Sequence, residues 1–248
     1  MNASLDLPAQ ARKQAGFTKL ELLVVVMVLV ALAVVRLSAA TSMKNQTKIG
    51  QCAANLRQLG VSMLLYGSDN ADKLPSQTPN PGNWLWDLPW SIGNTLNQYG
   101  ASQQVMYCPG TAPRFSATDN QNLYNFDPGY FHVIGYAPTL PSPSLAATNV
   151  NYMVTPQPIQ SGATLLPPPR ASQRVLNADA NLSAGGSYVA VYGGYQVGGR
   201  SLPHLCPHLD GFVPAGGNVG MLDGHVEWRS FDQMRVRTTG GAAPLFYW

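Results

Sequence analysis

Fourteen uninterrupted apolar residues, Leu22 to Val35, stand near the start of this 248-residue chain, between Glu21 and Arg36. The run is a membrane or targeting segment, and its length alone leaves two alternatives. A bilayer's hydrocarbon takes about 20 residues to cross, whereas a run of about 10–14 also fits the core of a secretory signal peptide. Ala31-Leu32-Ala33 supplies a small-x-small cleavage site for the second alternative. Counting back to Phe17 gives nineteen residues before Arg36. That is about 28 Å of helix, nearly a full span if Lys19 and Arg36 extend their charged ends to the two interfaces. Glu21 sits at the lip of the run, where a carboxylate in hydrocarbon costs up to ~2.5–3.5 kcal/mol at the centre and less near the edge. A partner for it is therefore expected. Arg12, Lys13 and Lys19 before the run are balanced by Arg36, Lys44 and Lys48 after it, so the positive-inside count sets no orientation.

Beyond Arg36, Ile49, Cys52, Leu56, Leu59, Met63 and Tyr66 recur at spacings of three and four, which predicts an amphipathic helix to about Ser68. No proline lies between residues 17 and 74. One helix of about 50 residues and roughly 75 Å is expected, with Gly50 and Gly60 as weak points. The alternative is a membrane helix joined by a short linker to a separate surface helix. Residues 75–248 then form a head. Only 11% of the chain is charged, against a usual ~25%, and glycine plus proline reach about 18% against ~12%. A loop-rich, extracytoplasmic type of surface follows. The net charge of +3 divides into +4 over residues 1–73 and −1 over the rest. No basic field exists to hold nucleic acid.

Within the head, residues 75–170 show little periodicity, and Trp84, Trp86 and Trp90 cluster there either as core or as a binding platform. Strands are expected at Arg174 to Ala178 and Tyr188 to Tyr192. Asp223-Gly224, between Asn218-Val219-Gly220-Met221-Leu222 and His225-Val226-Glu227-Trp228, reads as a two-residue type I′ hairpin loop. That register pairs Met221 with Val226 and Val219 with Trp228, leaving Leu222 on the outer face with His225. His204, Cys206, His208, Asp210, Asp223 and His225 include metal-ligand types, but Pro207 interrupts the helix that an i, i+4 histidine pair needs. No metal site and no enzyme active site are expected: there is no nucleophile elbow, Walker loop or dinucleotide fingerprint. Three cysteines allow one disulfide and one leftover thiol.

Gly16-Phe17-Thr18-Lys19-Leu20-Glu21-Leu22-Leu23-Val24-Val25-Val26 resembles the class III signal of type IV pilins and type II secretion pseudopilins. The resemblance implies that a prepilin peptidase cuts between Gly16 and Phe17, that Phe17 is N-methylated, and that Glu21 neutralises the amino group of Phe17 on a neighbouring subunit during assembly. Lys19 and Ser38 depart from the family pattern, which usually has an apolar residue and often a kinking proline there. The stretch from Cys52 to Pro75, Tyr107-Cys108-Pro109, and Gly216-Gly217-Asn218-Val219 leading to Asp223-Gly224 are similar to the pilin-like group with a C-terminal His-x9-Asp-Gly region. His208 is the nearest upstream histidine, but fourteen residues separate it from Asp223 rather than nine.

The fold implied is α+β, a long N-terminal membrane-spanning helix packed on a mostly antiparallel β-sheet head. Its parts are a leader over 1–16, a transmembrane helix over 17–37, an amphipathic continuation over 38–74 and the head over 75–248. The function implied is that of a structural subunit of a type II secretion pseudopilus or type IV pilus-like filament. Its partners are the prepilin peptidase, other pilin or pseudopilin subunits, membrane lipid and an inner-membrane assembly platform. The place implied is the inner membrane, single-pass, with the N-terminus cytoplasmic and the head periplasmic or in an extracellular filament. Because Cys52 and Cys108 both lie in the matching segments, a disulfide between them is expected, with Cys108 to Cys206 as the alternative. Related major pseudopilins carry a calcium-binding loop near the C-terminus, so calcium is the one cofactor the resemblance leaves open, although Asp210, Asp223, Glu227 and Asp232 lack the dense oxygen spacing that calcium needs. The competing class is a membrane-anchored or secreted binding protein or hydrolase that works through residues 75–248.

Overall fold

The computed structural model describes residues 18–78, 84–112, 114–141, 146–184, 187–197, 200–239 and 244–248. The chain divides between Lys44 and Asn45 into two compact units.

The first unit carries the start of helix α1 (Lys19–Asp69). Thr18 and Glu21 open it reciprocally. The Glu21 carboxylate accepts from the Thr18 amide at 2.8 Å and hydroxyl at 2.9 Å, and the Glu21 amide donates to Thr18 Oγ1 at 3.2 Å. This Thr-x-x-Glu capping box satisfies amides that a helix start otherwise leaves bare. From Leu20 to Leu32 every large apolar side chain is exposed, from 46% at Val25 to 72% at Leu20.

Two expectations are overturned here. Among the described residues, no helix is long and apolar enough to cross a membrane. The expected single-pass placement in the inner membrane goes with it. Lys19 and Glu21 bound the apolar run on one side and Arg36 on the other. The fourteen residues between cover about 21 Å, short of the ~30 Å of hydrocarbon.

In the second unit α1 presents Cys52, Leu56, Leu59 and Met63, all fully buried, at the i, i+4, i+7, i+11 spacing of one helical face. The central sheet has four antiparallel strands, β1 (Tyr136–Pro138), β2 (Val175–Asp179), β3 (Gly216–Met221) and β4 (Val226–Ser230), in the spatial order β4-β3-β2-β1. The remaining strands form small antiparallel sheets of two or three, among them Val191–Val197 with Arg200–Leu205 and Leu245–Tyr247 with Asn181–Ala184 and Ser187–Val189. The expected architecture of a membrane-spanning helix on one antiparallel head sheet is corrected accordingly: the protein is strand-rich and built of several small sheets. Short strands separated by glycine and proline turns cannot extend one ladder, so they pair locally.

Short helices α2 (Trp90–Gln98) and α3 (Ala117–Tyr124) fill the flank. α3 opens with a second capping box, Ser116 with Asp119. The side chains that β1–β3 turn toward α1 are largely polar. Asn177 Nδ2 donates to the Leu56 carbonyl at 3.1 Å and Asn218 Nδ2 to the Ile49 carbonyl at 3.1 Å. Both asparagines are at most 1% exposed.

The expected hairpin is present with a different register. Val219 lies opposite Glu227 and Asn218 opposite Trp228. The Met221 amide donates to the His225 carbonyl at 2.8 Å, and the Met221 carbonyl accepts from the Gly224 amide at 2.9 Å. The loop is therefore Leu222-Asp223-Gly224, three residues rather than two. Only Gly224 takes a left-handed φ, +87°, as a three-residue loop with a final αL residue requires. The cause is Leu222, which is 2% exposed and donates its amide to the Arg174 carbonyl at 2.8 Å. Burying that leucine pulls it out of the strand pairing.

Candidate functional site

Gly16 and Phe17, the expected processing site, lie outside the described residues. Glu21 is exposed, and its carboxyl is held below the usual range by the backbone and hydroxyl hydrogen bonds from Thr18.

The second place is buried. Four side chains from distant parts of the sequence meet where α1 packs on the central sheet: Cys52 of α1, Cys108 before a turn at Pro109–Thr111, Asp179 at the end of β2 and His208. One donor atom from each lies within 4.8 Å of all the others. Cys52 Sγ donates to Asp179 Oδ1 at 3.0 Å, Cys108 Sγ meets His208 Nε2 at 3.1 Å, and His208 Nε2 lies 3.5 Å from Asp179 Oδ2. Asp179 Oδ2 also accepts the Asn218 amide at 2.7 Å. The Cys108 sulfur accepts the Gly110 amide at 3.3 Å, and the Tyr136 hydroxyl stands 3.7 Å from Cys52 Sγ.

Burial governs the electrostatics. It pushes the Cys52 thiol up to about 11 and the Cys108 thiol well above its ordinary value, and it lowers the His208 imidazole, with Lys48 adding in the same direction against Asp179. His208 reaches the cluster through an uncommon backbone. Its φ is +52°, a left-handed conformation that costs a non-glycine residue about 1–3 kcal/mol. Space for the ring comes from Gly110, where an added Cβ would lie 2.7 Å from His208 Nδ1.

Both residues of the expected Cys52–Cys108 disulfide lie in this cluster. The two residues are brought together, but as free thiols, each sulfur engaged by the carboxylate or the imidazole. Cys206, the alternative partner, is likewise a free thiol: its sulfur donates to the Val189 carbonyl at 3.2 Å and accepts the Leu182 amide at 3.2 Å.

Of the other expected residues, Asp223 accepts from the His225 backbone amide and contacts its ring at 2.6 Å, a local pairing at the exposed hairpin tip. His204 is not one of the four: it stacks on Trp86 at 3.8 Å with its Nε2 unbonded. Trp86 is core, 1% exposed, its indole N–H donating to Tyr195. Trp90 stacks on His132 at 4.1 Å. Trp84, Phe126 and Tyr192 line an open cleft of about 420 Å³ beside them. Asp179 was missed by sequence reasoning, although a signal exists. In Leu176-Asn177-Ala178-Asp179-Ala180-Asn181 apolar and polar residues alternate strictly, which places three polar side chains on one face of an extended segment.

No family model, curated protein or solved structure matches the chain.

Proposed function

We propose that this chain is a structural subunit, cut by a prepilin peptidase between Gly16 and Phe17 and assembled with other pilin or pseudopilin subunits into a type II secretion pseudopilus or type IV pilus-like filament. The observation that carries the reading is the bare apolar helix from Leu20 to Leu32, whose large side chains are 46–72% exposed all round. Monomeric proteins rarely leave so continuous a surface uncovered, and a helix apolar on every side belongs in the interior of something larger. The same segments of other copies are the occupant that the resemblance implies. Glu21, charged and exposed at the head of the run, is then available to the Phe17 amino group of a neighbour.

Intact mass and N-terminal sequencing of the chain, expressed beside a prepilin peptidase, test the first half of this reading. A chain beginning at N-methylated Phe17 is expected. One beginning near Val34 or Ala40 marks ordinary signal cleavage and overturns it. The aromatic cleft of about 420 Å³ favours a second reading, a binding module acting through residues 75–248, since its size and lining suit a small ligand. Ligand-induced change in tryptophan fluorescence without filament incorporation is the outcome that selects it.

A further inference from the structure

We propose that Cys52, Cys108, Asp179 and His208 form a closed, four-coordinate site for one divalent transition metal of the zinc class, which ties the second half of α1 to the head. The inference does not depend on the filament reading.

The donor set is the first argument. Two sulfurs, one imidazole and one carboxylate are the ligand types that zinc takes in tetrahedral sites, at about 2.3 Å for sulfur and 2.0–2.2 Å for nitrogen and oxygen. Those bond lengths put neighbouring donors about 3.3–3.8 Å apart. The contacts at 3.0, 3.1 and 3.5 Å, with every donor pair inside 4.8 Å, require only small side-chain adjustments. All four positions come from protein, which marks a structural centre rather than one open to substrate.

The surroundings are the second argument. The Gly110 amide directed at Cys108 Sγ and the Asn218 amide on Asp179 Oδ2 are the outer contacts that orient metal ligands. The strained φ of His208 and the missing Cβ at Gly110 both serve to bring one imidazole nitrogen to this point. A hydrogen-bonded cluster alone gives little reason to bury four polar groups, since thiols are weak donors and a buried carboxylate costs several kcal/mol unless it is compensated. A dication supplies the compensation. Binding breaks the two S–H bonds and releases two protons to solvent. The metal, two thiolates and one carboxylate then sum to one negative charge, with Lys48 close enough to act on His208. Cys206 has no such company and shows what an ordinary buried cysteine looks like here.

The test uses the full chain under reducing conditions, loaded with ZnCl2 or CoCl2 and freed of excess metal. One equivalent of zinc per chain is expected. The cobalt form is expected to show intense visible bands of tetrahedral Co2+ and near-ultraviolet sulfur-to-cobalt charge transfer. Cys108→Ser and His208→Gln should lower the bound zinc from one equivalent to near none, while Cys206→Ala should keep it. The cobalt spectrum of the unaltered chain decides the matter even if a variant fails to fold. No retained metal, an octahedral cobalt spectrum without charge transfer, or retention by the Cys108 and His208 variants would each overturn the proposal.

Discussion

Glu21 carries two duties that a pair of substitutions separates. Its carboxylate caps the first turn of α1 through Thr18, and in the proposed filament its charge meets a neighbour's amino group. Glutamine still completes a capping box but is neutral. Glu21→Gln is therefore expected to leave the helical circular dichroism unchanged and to impair filament incorporation nearly as much as Glu21→Val. If Glu21→Gln assembles normally while Glu21→Val does not, the role is capping and the charge is idle. His204 makes a different kind of prediction. Burial against Trp86 pushes its imidazole down to about 3, whereas an unfolded histidine titrates near 6.5. Between those values the unfolded chain holds a proton that the folded one lacks. Stability therefore falls as pH drops through about 6.5 toward 3, by up to about 1.4 kcal/mol per unit, and the contribution is complete above 6.5. His132, lowered by its own burial, acts with the same sign. Urea unfolding over this range should show His204→Phe with a shallower acid slope, by about one proton.

At the scale of elements, the hairpin and the Cys108 turn give two measurable expectations. With Leu222 in the core, Leu222→Ala should cost about 2–5 kcal/mol in denaturant unfolding; a loss below about 0.5 kcal/mol would return it to the outer face that a two-residue loop implies. Gly110→Ala places a methyl against both the ring and the backbone of His208 and should cost about 1–3 kcal/mol by overpacking. Legibility followed the strength of local signals. The spacing from Ile49 to Tyr66 predicts the buried face of α1, and Asp223-Gly224 predicts a turn, because helical period and glycine conformation act over a few residues. The hairpin register was not legible, since whether Leu222 pairs or plugs the core is decided by Arg174 across the sheet. Cys52, Cys108 and His208 stood out as residue types, yet their meeting depends on strand order, and Asp179 was hidden in an alternating strand.

For the whole molecule, the division at Lys44 predicts two rates of amide exchange along one helix. Amides from Cys52 to Met63, covered by the head, should exchange slowly. Those from Leu20 to Leu32, with no such cover, should exchange quickly in the dispersed chain and become protected on assembly. Slow exchange there in the dispersed chain would show that something other than further copies covers the run. The cluster beneath α1 also has a temporal consequence. Cys52 and Asp179 are 127 positions apart, and Cys108 and His208 are 100 apart. Closing intervals of that size is among the slow events of folding. During synthesis Cys52 emerges long before the residues that shelter its sulfur, so the interval before Asp179 and His208 arrive is when this protein's thiols are most open to an oxidant. The speed of chain elongation, and not only the redox poise of the compartment, then helps decide whether the four side chains ever meet.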